Sequence, residues 1–198
     1  MGVLLEPAPV AAPANNREPI VNDFSFVVAT ENGTGSQTAN LTILRAMFKM
    51  GIPVNGKNIF PSNIQGLPTW YHIRVSKDGY VARRHTSELL IAFNETTVAE
   101  DIKNVPSGGV CLYNADWRNV PTREDITLYA VPVNMFVRET GLKGKLGNYI
   151  ANMVYVGAVS YLFGIPLSYI EEAMSFNFGG RRKLIDSNMA VVRAAHQW

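Results

Sequence analysis

FSFVVATENGTGSQTANLTILRAMFKMG, residues Phe24 to Gly51, holds three successive patterns. Phe24 to Thr30 are mostly apolar and β-favouring, Glu31 to Gln37 form a loop carrying Gly33 and Gly35, and the remainder has helical spacing. Leu41, Leu44, Met47 and Phe48 share one face of that helix and are its expected buried side. Asn32 or Thr34 is placed to start the turn, and glycine tolerates backbone angles that a Cβ forbids. The first amides of a helix have no partner within it, so such a loop is a receptor for an anion.

Outward from this unit, the chain alternates strands with helices. Gly51-Ile52-Pro53 stops the first helix, Lys57 to Ser62 is a short strand broken at Pro61, and a loop runs from Asn63 to Pro68. Thr69 to Ser76 is rich in aromatic and β-branched residues and reads as a strand. Lys77-Asp78-Gly79 is a turn after which Tyr80 to Arg83 is expected to return as a hairpin. Leu89–Phe93, Val110–Tyr113 and Ile126–Val133 are further strands, with a short helix at Thr97–Lys103. Val133 to Thr140 has room for a helix of one or two turns. From Lys145 the pattern is helical in three pieces, Leu146–Phe163, Ser168–Phe176 and Arg181–His196, and Ser168 with Glu171 has the spacing of a capping box.

Uninterrupted apolar strands alternating with helices predict an α/β fold, a three-layer α/β/α domain with a mainly parallel central sheet and a helical C-terminal third. At 198 residues one domain is expected over residues 21–198. Residues 1–20, rich in proline and alanine, read as a flexible leader. The longest apolar run, Tyr149 to Gly164, is broken by Asn152 and is shorter than a bilayer span, so it reads as a buried core helix and no membrane is implied.

Composition narrows the chemistry. A net charge of +2 gives no reason to expect nucleic acid. The single cysteine, Cys111, rules out an intrachain disulfide framework and a four-cysteine cluster, and no Cys/His group has metal-ligand spacing. Cys111 lies mid-strand and reads as inert, and His72 reads as packed rather than as a base. A reducing, cytoplasmic setting follows.

The glycine loop lacks the third glycine of a dinucleotide fingerprint, Thr38 standing there, and lacks the acidic residue about 20 positions on. No Gly-Lys-Ser/Thr follows Gly35. Between Asn32 and Lys77 there is no acidic residue, while Arg45, Lys49, Lys57, Arg74 and Lys77 are present. That charge suits a phosphate-bearing ligand or an acidic partner, or else is an ordinary solvated surface. Arg181-Arg182-Lys183 reads as a solvated helix face or an interface patch. No catalytic constellation is visible.

Two stretches carry a resemblance. Glu31 to Tyr80, with its FPSNIQGLPTW run from Phe60 to Trp70, and Leu146 to Met174 (LGNYIANMVYVGAVSYLFGIPLSYIEEAM) resemble the gamma domain of 2-oxoacid:ferredoxin oxidoreductases. The form fused at the N-terminus of the 2-oxoglutarate-type alpha subunit is the most similar, and the likeness extends from Asp23 to Trp198. It implies an α/β/α module packed against thiamine-binding alpha and beta partners. Those partners would hold thiamine diphosphate and iron–sulfur clusters and pass electrons to ferredoxin. It further implies that Gly33, Thr34, Gly35, Ser36 and Gln37, with Asn63, Gln65 and Gly66 in a second loop and Arg74 on the strand behind, form a cofactor-binding set for which coenzyme A is the candidate. Relatives often have glycine where Ser36 stands. With no thiamine motif the chain is expected to be non-catalytic alone, either a separate subunit or a piece of a longer polypeptide. The alternative to this gamma component is a stand-alone module for a nucleotide or other phosphate-bearing ligand.

Overall fold

Strand β1 (Asp23–Glu31) is the axis of the molecule: it is pinned between β3 (Pro68–Ser76), antiparallel to it, and β4 (Leu89–Ala92), parallel to it. The computed structural model describes residues 21–60, 67–142 and 144–198. Strands β2 (Val54–Ile59), β5 (Val110–Asn114) and β6 (Thr127–Val131) complete a six-stranded sheet of order β2-β3-β1-β4-β5-β6. The β1-β4-β5-β6 portion is parallel throughout, and β3 runs antiparallel to both its neighbours. All four residues of β4 are buried, as expected for a strand covered on both faces.

The two covers are unequal. Helices α1 (Ser36–Lys49), α3 (Val133–Glu139), α4 (Lys145–Leu162), α5 (Leu167–Asn177) and α6 (Arg182–Gln197) pack on the face that carries Phe26, Val28, Ile73 and Ile91. The opposite face, with Ala29, Leu90, Ala92 and Cys111, is covered by α2 (Val98–Lys103) and connecting loops. The expected three-layer α/β/α architecture with its helical final third is therefore present, one layer thick and one thin. The middle of helix α4, from Asn152 to Ser160, is buried throughout because it is packed among α1, α3 and α6 in the core on this face. Among the described residues no helix is long and apolar enough to cross a membrane.

Four local expectations change. Helix α1 turns Ala39, Ile43, Ala46 and Met47 to the core, while Leu41 and Leu44 are half-buried and Phe48 is 69% exposed. Both sets are helical stripes; alanines let the helix approach the sheet, which a hydrophobicity pattern undervalues. The expected hairpin at Tyr80–Arg83 is instead irregular, because β3 already has partners on both edges. The segment folds over the sheet, where Asn55 Nδ2 donates to Val81 O at 2.8 Å. Strand β2 lies a few residues earlier than Lys57–Ser62, at Val54–Ile59. The capping box is not formed: Pro166 takes the cap of α5, and Glu171 pairs with Arg182 and Arg193, each at 2.9 Å. Pro166 with its fixed φ seats the chain for Leu167 as the first helical residue, which leaves Ser168 inside the turn. Residues 1–20 lie outside the described residues.

Candidate functional site

The glycine turn sits where β1 ends, on the thickly covered side of the sheet. Gly35 is the residue before α1, with φ 84° and ψ 6°, a left-handed conformation that glycine enters freely. No side chain caps this helix. The amides of Ser36 and Gln37 open the first turn, where backbone donors have no acceptor within the helix. Together with the dipole of a 14-residue helix they make an anion-friendly end.

The turn is held from both sides. Thr34 Oγ1 donates to Glu31 O at 2.8 Å, and Asn32 N donates to Leu67 O at 2.8 Å, tying the turn to the start of β3. From behind, Asn152 Nδ2 of α4 donates to Thr34 O at 2.8 Å. The Tyr155 hydroxyl donates to Asn40 Oδ1 at 2.9 Å and lies 3.3 Å from Ser36 O. Burial pushes the Tyr155 hydroxyl well above its ordinary pKa, so it remains a neutral donor. Tyr155→Phe leaves Asn40 Oδ1 without this donor in the core. We expect it to cost roughly 1–2 kcal/mol of stability, read from a urea unfolding midpoint, with the fold retained.

A cavity of about 280 Å³ opens in front of the turn, bounded by Gly33, Gly35, Gln37, Asn58, Thr69 and Tyr149 among others. Its floor is a chain of neutral hydrogen bonds: Asn58 Nδ2 donates to Gln37 Oε1 at 3.3 Å, and Thr69 Oγ1 donates to Asn58 Oδ1 at 2.9 Å. A second cavity of about 320 Å³ shares Gly35 and Tyr149 with the first and is apolar, with Leu142, Leu146, Ile150 and Met153 in its wall. Leu146 and Tyr149 are exposed at the mouth.

The cations expected to serve this loop go elsewhere. Lys49 pairs with Glu172, and the Arg45 guanidinium lies 4.3 Å from the centre of the Phe176 ring. Lys57 and Arg74 project from the other face of the sheet, and Arg74 is buried against Asp23. Arg74 does lie on β3, the strand that follows the second loop, but it lines a different cavity from that of the glycine turn, with Ser25 and His72. No charged side chain borders the turn's cavity among the described residues. Asn63, Gln65 and Gly66 lie outside those residues. Of the anticipated set, Gly33, Gly35, Ser36 and Gln37 border the one cavity, and Thr34 supports it through its carbonyl. Sequence reasoning missed Tyr149 and Tyr155; Asn152, a polar interruption of the longest apolar run, was the available signal for contact from α4.

The remaining chemistry-bearing residues are quiet. Cys111 is buried, and burial pushes its thiol up to about 12. Among the described residues no three His, Cys, Asp or Glu side chains converge as metal ligands. Arg182 is a largely exposed residue bridging Glu171 and Asp186.

Comparison with known proteins follows the same line. The protein-family model for pyruvate ferredoxin/flavodoxin oxidoreductase matches residues 25–198. The chain is similar to the alpha subunit of 2-oxoacid:ferredoxin oxidoreductase 2 from Aeropyrum pernix, at 24% identity over 87% of this chain and 33% of that subunit. It is also similar to the ketoisovalerate oxidoreductase subunit VorA of Methanothermobacter marburgensis, at 27% identity over 57% of this chain and 23% of that one. The chain thus spans a third or less of the length of these curated relatives. Among solved structures, a 2-oxoglutarate:ferredoxin oxidoreductase from Magnetococcus marinus superposes with a TM-score of 0.78 at 24% identity, over 90% of this chain and 32% of the other. The gamma subunit of a keto/oxoacid ferredoxin oxidoreductase from Geobacter sulfurreducens gives 0.69 at 16% identity, over 88% of this chain and 96% of that subunit.

Proposed function

This chain belongs to the pyruvate ferredoxin/flavodoxin oxidoreductase family, and from that premise we propose that it is the gamma component of a 2-oxoacid:ferredoxin oxidoreductase. In this reading it acts in the cytoplasm and catalyses nothing alone. Thiamine-binding alpha and beta partners carry thiamine diphosphate and the iron–sulfur clusters. The assembled enzyme decarboxylates a 2-oxoacid oxidatively, passes electrons to ferredoxin and releases an acyl-coenzyme A. The Magnetococcus marinus structure contains 2-oxoglutarate, coenzyme A and succinyl-CoA, which favours 2-oxoglutarate as substrate here.

The observation that carries this reading is the pairing of two cavities across Gly35 and Tyr149. One offers helix-end amides and neutral donors, suited to the phosphates of coenzyme A; the other offers an apolar wall, suited to an uncharged arm. Gly33, Gly35, Ser36 and Gln37 would hold the phosphate end, with Asn63, Gln65 and Gly66 of the second loop as further candidates for the binding set. The cavity's neutrality leaves much of the anion's charge to be balanced from another polypeptide, which is what a shared site requires. The exposed Leu146 and Tyr149 at its rim support the same conclusion over a stand-alone module.

The test is reconstitution. The chain combined with its thiamine-binding partners should give 2-oxoglutarate-dependent reduction of a viologen dye that requires coenzyme A. Omitting the chain should abolish the coenzyme-dependent rate. Undiminished activity without it would overturn the reading.

A further inference from the structure

On the thinly covered face, the loop between β3 and β4 closes over the strands and leaves a small cavity of about 50 Å³, bordered by Ser25, Lys57, His72, Arg74 and Arg83. It shares His72, Arg83 and Ser87 with a larger cavity of about 560 Å³, whose apolar wall is Val27, Trp70 and Leu90 and which Glu100 and Asp101 also border. Trp70 is held in place there by its Nε1–H, which donates to Asp101 Oδ1 at 2.9 Å.

The charges around the small cavity separate into two groups. Asp23 and Glu88 are matched by Arg74 and Arg84: Arg74 pairs with Asp23, while Arg84 lies 3.0 Å from Asp23 and 3.3 Å from Glu88. The second Glu88 oxygen accepts from Ser25 N at 2.7 Å. That quartet is neutral in sum. Lys57 and Arg83 are left over, and among the described residues neither has an acidic partner. Lys57 stands across the ladder from His72, and Arg83 Nη1 lies 3.5 Å from His72 Nε2. Burial, then the Arg83 charge, holds the His72 imidazole down to about 4, so the ring is neutral at physiological pH. Two cations without an acidic partner among the described residues, Lys57 and Arg83, therefore border the small cavity.

Independently, Ser25 is only 4% exposed, and its hydroxyl oxygen has no hydrogen-bond partner. A buried hydroxyl without a partner is costly unless a ligand or water supplies one. The geometry points to an oxyanion subsite formed by Ser25, Lys57, His72 and Arg83, which takes the carboxylate or phosphate of a small molecule whose apolar body lies against Trp70. The small cavity has room for a few water-sized groups and so for an anionic head, and the larger one is in the size range of small-ligand sites. This site lies across the sheet from the glycine turn and does not depend on the coenzyme A reading.

The experiment uses the full chain, ¹⁵N-labelled at histidine, titrated at constant ionic strength with phenylacetate and phenyl phosphate. Acetate and inorganic phosphate serve as probes without a body, and benzyl alcohol as a body without a charge. The His72 ring resonances should shift saturably, and the His72 pKa should rise by about one unit when an anion sits beside it. His196, hydrogen-bonded to Ser160 on the other side of the sheet, should not move. Phenyl-bearing anions should bind about tenfold more tightly than their small counterparts and quench Trp fluorescence, and the tighter of the two identifies the headgroup. Ser25→Ala should weaken binding several-fold, and Arg83→Gln should remove saturation. Shifts that are linear in every anion, or equal in wild type and both variants, would overturn the proposal, as would benzyl alcohol binding as tightly as phenylacetate.

Discussion

Gly157→Ala should lower the thermal midpoint of the chain by roughly 6–12 °C, the largest loss of stability expected from a single added methyl group. In the middle of a helix, alanine is ordinarily about 1 kcal/mol better than glycine. Gly157 lies in α4 where that helix meets α6, however, and an added Cβ would fall inside the contact envelope of Val192 O. It would also stand 2.8 Å from Ala195 Cβ and 3.1 Å from His196 N. Two of these three neighbours are backbone and the third is a Cβ, so no rotamer change relieves the clash. The helices must separate, and the bond between Ser160 Oγ and His196 Nδ1, 2.9 Å long, separates with them. Overpacking costs about 1–3 kcal/mol and sometimes more. A cost of about 4 kcal/mol against these unyielding backbone contacts, less the helix preference of about 1 kcal/mol, leaves a net loss of about 3 kcal/mol. In a chain of this size that loss corresponds to the stated midpoint shift at about 2–4 °C per kcal/mol.

Gly147→Ala is the control within the same helix. Its Cβ would meet nothing closer than Leu142 O at 3.4 Å, an ordinary contact. It should leave the midpoint unchanged or raise it by a few degrees, since the intrinsic helix preference of about 1 kcal/mol is then unopposed. Paired melts of the two variants check both statements. Equal midpoints would mean that α4 and α6 do not approach as closely as described.

Such close approaches are invisible in the sequence, and the contrast shows which parts of the molecule were legible. Strand and helix positions could be read because apolar runs such as Leu89–Ala92 leave little choice, and because Pro53 and the glycines mark the breaks. The glycine turn could be read for the same reason: Gly33 and Gly35 both have positive φ, a conformation that their residue type advertises. The charge around it could not. Alternation along β2 and β3 sends Lys57 and Arg74 to the far face of the sheet, and only the register of the ladder decides that. Lys49 is claimed by Glu172, 123 positions away, and Arg45 by Phe176. A run of sequence without acidic residues thus predicted a basic loop, whereas tertiary pairing produced a neutral one. The same register places Lys57 and His72 beside Ser25, a juxtaposition that no local pattern signals.

At the glycine turn, the informative experiment separates shape from charge. Gly35→Asn and Gly35→Asp add side chains of nearly equal size at φ 84°, a conformation that both residues enter more readily than most. In both, the Cβ would come 2.5 Å from Tyr149 Cδ1, so the exposed ring must turn aside and the wall shared by the two cavities is disturbed. That common disturbance should raise the coenzyme A concentration needed for half-maximal activity of the reconstituted enzyme by about tenfold. The aspartate adds a charge that the asparagine lacks. Its carboxylate lies at the start of α1, beside the first-turn amides that a phosphate would use, and repels that phosphate. Two like charges about 4 Å apart in a partly exposed site are worth up to about 4 kcal/mol, so a further loss of about 10- to 100-fold is expected for Asp over Asn. Because a carboxylate at a helix start is itself stabilising, the aspartate variant should unfold no earlier than the asparagine variant. Weakened coenzyme dependence combined with retained stability would locate the anion at this turn. Equal coenzyme A dependence in both variants and the wild type would remove Gly33–Gln37 from the binding site and leave the chain a role in assembly alone.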